Sequence, residues 1–290
     1  MASNKQTLLA WFYRQPFPEG ELRFDDLLAD AALAVLGKDA ISAAQYVVAN
    51  AQRHWNELCT QSRLDIERGL RPLFRITDAG GRKAIWYPRL AMSKLGTRQK
   101  KAIALSAARP LILGQIDLMT DREFEAFCCV VMEESGADRV KLTPPGNEGG
   151  IDLFAHLLVP ATSHLFGGAC TPVRVVGQCK QYSGPVSVDR IRDFIATLES
   201  VRYQSGLLPA GLVPPWFKAS AGPMIGWVAA NSGWQSGART LANSHGIVLS
   251  TSIDLAEVVA QAKRFHADLP PADRATKVVE QVQSVLNPVA

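Results

Sequence analysis

Between Glu125 and Lys180 the chain carries the residue types that a metal-dependent phosphodiesterase needs. Glu125 lies in a helical pattern. Asp152 follows a glycine-rich run, Asn147-Glu148-Gly149-Gly150-Ile151, and Gln178-Cys179-Lys180 ends a β-branched stretch. A carboxylate offers oxygen to a hard divalent cation, and a lysine ammonium nearby orients or deprotonates the attacking water.

Strand periodicity decides whether these groups meet. In Val173-Arg174-Val175-Val176-Gly177-Gln178-Cys179-Lys180, side chains two apart share a face. Gln178 and Lys180 therefore project together, while Cys179 turns to the other side with Val175 and Val173. In Ile151 to Leu157, Asp152 leaves on the face opposite Ile151 and Leu153. Pairing of the two strands brings Asp152, Gln178 and Lys180 toward one ion, with the Cys179 backbone carbonyl as a further ligand. The Asn147 to Gly150 lead-in suits a turn with positive φ.

Two acids compete for the place of accessory ligand. Thr120-Asp121-Arg122-Glu123 reads as a capping box, which gives Glu123 a structural task. Phe124, Phe127, Cys128, Val131 and Met132 then recur at helical spacing as a buried stripe. Glu125 lies beside that stripe, within reach of the sheet edge carrying Asp152, and is the better candidate.

Phe124-Glu125, Gly136, Asn147 to Asp152 and Gln178-Cys179-Lys180-Gln181-Tyr182 together resemble the Mrr-like restriction endonucleases, a D…QxK branch of the PD-(D/E)xK nucleases. The resemblance continues through Pro185 to Val188, the helix Ile191 to Leu198, Trp227 to Ser232, Gly237 to Arg239 and Gly246 to Leu249, about half the chain. It implies an α/β, restriction-endonuclease-like core: a mixed sheet flanked by helices. It also implies DNA as substrate and dependence on Mg²⁺, with Mn²⁺ as a substitute. By position, Asp152 is the main metal ligand, Glu125 an accessory acid, Gln178 the replacement for the usual second acid, and Lys180 the catalytic lysine. An amide at Gln178 removes one negative charge and favours one-metal chemistry. The residues between the site strands, Leu158 to Val173, and a Pro/Gly-rich run from Tyr203 to Pro223 are insertions against the family pattern, so substrate specificity does not transfer.

The implied setting is restriction of foreign or modified DNA, or anti-phage defence. Alternatives are a DNA-binding or sensing subunit whose nuclease site a partner activates, and a repair or branched-DNA nuclease. A homodimer with facing sites would cut both strands; a monomer would nick.

The remaining composition narrows the class. The chain has 290 residues, 47% of them hydrophobic, enough for two ordinary cores. It contains no apolar run of membrane-spanning length and no N-terminal signal pattern. Five cysteines without a Cys-x-x-Cys point to reduced thiols, a cytoplasmic location and no structural zinc. No Walker lysine, paired metal-binding histidines or G-x-S-x-G elbow is present.

The net charge of +4 is unevenly spread. Residues 1–110 carry 17 basic against 10 acidic residues, and 111–290 carry 14 against 17. Arg63 to Arg109 alone holds 12 basic and 3 acidic residues, the footprint expected for a phosphate backbone. Phe24 to Leu36, Ser42 to Leu58 and Leu64 to Leu70 read as helices. Leu73 to Thr77 and Arg82 to Tyr87 read as a hairpin. Helices followed by a basic hairpin resemble a winged-helix module, with Arg82 and Lys83 on the hairpin as DNA contacts.

The expected organisation is therefore a helical, winged-helix-like domain at 1–110 for DNA or partner binding, a nuclease domain at 111–270 and a C-terminal helix at 271–290, with a junction at Pro110 and Gly114. Within the nuclease part, Ser187 to Val201, Ser236 to His245, Ile253 to Phe265 and Ala275 to Leu286 read as helices. Met224 to Ala230 and Ile247 to Ser250 read as strands of a partly parallel sheet. Arg190 and Arg192 open a helix after the site and are further candidates for phosphate contact. His156, on the alternating face of Asp152, and Trp216 with Phe217 read as packing groups.

Overall fold

The computed structural model describes residues 8–9, 11–13, 20–67, 72–86, 105, 108–146, 149–158, 172–181, 184–205, 208–265 and 269–288. Asn147, Glu148, Tyr182, most of the first insertion and the basic residues between 87 and 104 lie outside them.

Five strands form the sheet that carries the site: β4 (Ala137–Leu142), β5 (Leu153–Leu157), β6 (Val173–Lys180), β7 (Met224–Ala230) and β8 (Val248–Thr251), in the order 4-5-6-7-8. β4 pairs with β5 and β5 with β6 in antiparallel fashion, whereas β6, β7 and β8 are parallel. The parallel half follows from helical crossovers. α5 (Val188–Arg202) and the short α6 (Pro215–Ala219) separate β6 from β7, and α7 (Ser236–Ser244) separates β7 from β8. Period-two alternation then sorts the strand residues. Phe154, Val176, Val228 and Ala230 pack with Ile191, Phe194 and Ala238 on one face. Leu153, Ala155, Val175, Cys179 and Ala229 pack on the other with α3 (Arg109–Leu118), α4 (Asp121–Glu134), α8 (Ser252–Gln261) and α9 (Pro271–Leu286). Both sheet faces are covered, as the apolar reading of β6 and β7 requires.

α4 begins as its sequence dictates. Thr120 accepts the Glu123 N–H at 3.3 Å, and Glu123 accepts the Thr120 N–H at 2.8 Å, closing the capping box. The Thr120 amide first, then its hydroxyl, hold the Glu123 carboxyl below its ordinary range. A depressed carboxylate pKa contributes stability that is present above the unfolded value and lost as pH falls through the folded one. Glu123→Ala should therefore cost on the order of 1 kcal/mol at neutral pH and leave the chemistry intact. Glu125→Gln should do the converse. Melting curves and cleavage rates of the two variants check this, and the stability difference from wild type should narrow in acid.

The N-terminal half departs from the expected pattern in three places. Glu21–Arg23 forms a short strand, β1, which three residues of unremarkable propensity do not announce. α1 (Phe24–Leu36) follows, and then one helix, α2 (Ala40–Glu67), stands where two patterns were read. No glycine or proline interrupts Cys59 to Arg63, and Thr60 bonds back to the Asn56 carbonyl within the same helix. The expected hairpin is present as β2 (Phe74–Asp78) and β3 (Lys83–Trp86), and β1 pairs with β3, giving the order 1-3-2. Phe12, Phe24, Trp55, Phe74 and Trp86 build its core from rings 4.8 to 5.5 Å apart. β4 is likewise absent from the sequence reading, because Asp138, Arg139 and Lys141 mask its alternation.

Pro110 does not mark a break. It sits in the first turn of α3, where a missing N–H costs nothing, and Gly114 lies inside that helix. Pro271 opens α9 in the same way. One hydrophobic cluster runs from Phe12 and Trp86 through Ile112 and Phe127 to Val278 and Val282. A buried polar chain crosses the same seam. Tyr13 donates to Asp65 at 2.5 Å, the Arg109 guanidinium lies 4.6 Å from the Tyr13 ring centroid, and it pairs with Glu257 at 2.9 Å. Burial is the largest influence on both Asp65 and Tyr13 and pushes their pKa values up; the Arg109 charge opposes it in each case.

Candidate nuclease site

The site forms where β5 begins and β6 ends. Leu153 pairs with Gly177, so Asp152 lies opposite the last residues of β6, and its N–H donates to the Gly177 carbonyl at 2.9 Å. Two residues on, the Cys179 N–H turns to the same side but has passed the end of β5. The Asp152 carboxylate takes its place, with Oδ2 accepting that N–H at 2.6 Å. Gly177 permits this pairing, because a Cβ there would lie 2.6 Å from Leu153 Cγ.

Lys180 Nζ stands 3.9 Å from the same Asp152 oxygen. Asp152 is buried at 3% exposure while Lys180 is 23% exposed at its side chain, so the acid is set in the protein and the ammonium faces the opening. Gln178 donates Nε2 to the Gly150 carbonyl at 2.8 Å, which fixes its amide plane. That carbonyl is held out by a turn in which Gly149 and Gly150 have φ of 60° and 80°, values that an L side chain rarely adopts. The structure thus brings Asp152 and Lys180 within 3.9 Å of each other and holds Gln178, two residues before Lys180 on β6, on the Gly150 carbonyl; Ile151, expected to share a face with Leu153, packs with Phe154 instead.

Glu125 approaches from α4 by a different route. Its carboxylate pairs with Arg122 at 2.7 Å, and the other arm of that guanidinium donates to the Thr143 carbonyl at 2.6 Å. Thr143 is fully buried. It donates its N–H to the Asp152 carbonyl at 3.0 Å and its hydroxyl to Ile151 at 2.8 Å. Arg122 and Thr143 were not singled out in the sequence. The i, i+3 spacing of Arg122 and Glu125 is a readable signal for an ion pair, but the capping box drew attention to their neighbours.

Cys179 keeps its thiol away from the site, in the core beside Cys128. Burial, then the Cys128 contact, push its pKa well up, which leaves no nucleophilic thiolate. His156 sits at the far end of β5, edge-on to Trp216 with ring centroids 4.7 Å apart, and burial lowers its pKa. Trp216 and Phe217 on α6 cover that end of the sheet, with Arg174 over the Phe217 ring. Arg190 and Arg192 are exposed on the first turn of α5, and Arg192 pairs with Asp189 at 2.7 Å.

The hairpin cations are placed differently from one another. Arg82 has φ of 50° and its guanidinium forms a two-armed pair with Asp25, 2.6 Å on each arm, while its carbonyl accepts the Phe24 N–H. It ties the turn to the start of α1, a structural task that phosphate contact would have to break. Lys83 lies 3.7 Å from Glu21 with both side chains exposed, a loose pair that solvent screens.

Among the described residues, no three His, Cys, Asp or Glu side chains are grouped to hold a metal. The oxygen donors at the β5/β6 junction are instead the buried Asp152 carboxylate, the Cys179 carbonyl and the Gln178 amide, with Glu125 on α4 tied to the Asp152 segment through Arg122 and Thr143. These oxygens fit a hard divalent cation and not a softer ion, which prefers thiolate or imidazole.

This mixed sheet, covered by helices on both faces and carrying Asp152, Gln178 and Lys180 at the β5/β6 junction, is a restriction-endonuclease-like core. Residues 116–210 match the Mrr catalytic-domain family model, described as restriction endonuclease. That segment is similar to the Mrr-like restriction endonucleases. No curated protein matches the chain. Solved structures similar to it include the restriction endonuclease MspJI in complex with a 27-mer oligonucleotide, at 21% identity over 71% of this chain and 42% of that one, with a TM-score of 0.40. The DNA modification-dependent restriction endonuclease AspBHI matches at 17% identity over 73% and 47%, with a TM-score of 0.40. Restriction endonuclease FokI bound to DNA matches at 11% identity over 89% and 44%, with a TM-score of 0.38. The chain spans less than half the length of each of these structures.

Proposed function

We propose that the chain is a divalent-metal-dependent endonuclease that hydrolyses DNA phosphodiesters, acting in restriction of foreign or modified DNA. The observation that carries the reading is the meeting of Asp152 and Lys180 across the β5/β6 junction, 3.9 Å apart, beside an amide at Gln178. The family of residues 116–210 supports it independently.

In this reading Asp152 and the Cys179 carbonyl hold the cation, with Glu125 as an accessory acid. A bound Mg²⁺ or Mn²⁺ would supply Lewis-acid polarisation of the phosphate and would offset the negative charge that develops on its oxygens. The Lys180 ammonium orients the attacking water toward phosphorus, and its charge stabilises the transition state. Gln178 holds its amide oxygen at the site without a further negative charge, so a second cation is less strongly attracted. The Asp152 carboxylate accepts from Cys179 N–H in advance, so its position does not have to be set when substrate arrives.

DNA affinity is assigned to residues 1–110, on the strength of their positive balance, with Lys83 as the hairpin contact and Arg82 as the strut behind it. Arg190 and Arg192, exposed at the start of α5, the helix that follows the site strand, are assigned to the phosphates flanking the cut. The setting is a defence system in the cytoplasm, with a second copy of the chain supplying the other strand's cut.

The test is cleavage by the full chain of supercoiled plasmid, modified phage DNA, linear single strands and RNA, in Mg²⁺, Mn²⁺ or EDTA. The expected result is metal-dependent nicking or linearisation of DNA alone. Cleavage of RNA in preference to DNA, or equal activity in EDTA, would overturn the assignment.

A further inference from the structure

We propose that Arg122 is a positioning residue of the nuclease site, acting through Glu125, whose carboxylate it ties to the segment that carries Asp152. This rests on the reading of Asp152 and Glu125 given above and extends it to a residue with no place in the Asp–Gln–Lys set.

The geometry is an unbroken chain of polar contacts. Glu125 Oε2 meets one nitrogen of Arg122 at 2.7 Å, and the other nitrogen meets the Thr143 carbonyl at 2.6 Å. The Thr143 N–H and hydroxyl both reach the Asp152 carbonyl, each at 3.0 Å. One planar guanidinium therefore joins the acid on α4 to the segment of the acid at the start of β5. The two acids belong to different elements, with a strand and a glycine-rich turn between them in sequence.

The residue type matters. A guanidinium is a rigid fork whose arms satisfy two acceptors in fixed directions, while a lysine ammonium is a point charge on a flexible stem. Lysine at this position would keep the charge and lose the simultaneous hold on Glu125 and Thr143. Arg122 and Glu125 are 31% and 18% exposed at their side chains, so the pair is partly sheltered and its direction is set by the protein more than by solvent.

Loss of a group that orients a metal-binding carboxylate typically weakens metal binding about 10- to 100-fold. Because Arg122 acts through Glu125, its removal should reproduce the loss of Glu125 and should not add to it.

The experiment is Mn²⁺ binding to the full chain without DNA, by calorimetry, for wild type, Arg122→Lys, Glu125→Gln, the double variant and Asp152→Ala, with thermal melts for each. Arg122→Lys is expected to weaken Mn²⁺ binding by about tenfold, with the double variant no weaker than Glu125→Gln alone. In cleavage, the Mg²⁺ needed for half-maximal rate should rise by a similar factor, and excess Mg²⁺ should recover part of the lost rate, which a merely structural defect would not allow. Unchanged Mn²⁺ affinity in Arg122→Lys, or losses that add in the double variant, would overturn the role of Arg122. Undiminished Mn²⁺ binding by Asp152→Ala would instead remove the parent reading. Loss in Asp152→Ala with no change in Arg122→Lys would remove this inference alone.

Discussion

Lys180→Ala is expected to lower the single-turnover cleavage rate by about 10³-fold while leaving DNA affinity nearly unchanged. The scale is that of removing one preorganised charge from the place where charge develops in the transition state, about 10² to 10³. The geometry supports the split between rate and binding. Lys180 is one cation among the many that would touch phosphates, so its loss removes little binding. Its ammonium, though, stands 3.9 Å from the carboxylate that anchors the site, where an attacking water must be held. Lys180→Arg should recover little, because the planar fork does not occupy the same point. Binding curves on uncleaved DNA in Ca²⁺, set beside single-turnover rates in Mg²⁺, separate the two effects. A parallel loss of binding and rate would assign Lys180 to substrate holding alone.

Arg109→Met is expected to destabilise the protein by about 3–5 kcal/mol in urea unfolding, the cost of stranding buried charge. The guanidinium is 6% exposed and Glu257 is 2% exposed, and Asp65 is also fully buried within reach of the same positive charge. Removing the cation takes the opposite charge away from Glu257 on α8, which keeps its hydrogen bond from Gln261, and from Asp65, which keeps those from Tyr13 and Gln61. Arg109→Met with Glu257→Gln should recover part of the loss, since an amide costs less to bury than an ion. If the single variant melts with wild type, the network across the seam contributes nothing measurable.

Much of the site was legible in the sequence because strand periodicity is a hard constraint. The β-branched run ending at Lys180 fixes which of Gln178, Cys179 and Lys180 share a face, and β6 spans Val173–Lys180 as read. Thr120 and Glu123 announce the start of α4 in the same way, through a pattern with one physical meaning. What was not legible depends on partners distant in sequence. β1 is a strand only because Glu21–Arg23 finds β3, and β4 only because it finds β5. Arg82 reads as a free hairpin cation until Asp25, far away in the chain, is seen to hold it. Arg122 is one turn from Glu125 and that contact is readable, yet its second acceptor, the Thr143 carbonyl, belongs to the tertiary fold. Pro110, read as a junction, opens α3, since proline is as good a helix start as a helix break.

Asp152 is the proposed anchor of the metal on which cleavage depends, and its removal tests that role. Wild type and Asp152→Ala, both shown folded by circular dichroism, are incubated with supercoiled plasmid in Mg²⁺ and in EDTA under single-turnover conditions. The account predicts nicked or linear product from wild type in Mg²⁺ only, and none from Asp152→Ala in either condition. Cleavage by Asp152→Ala at the wild-type rate would contradict it.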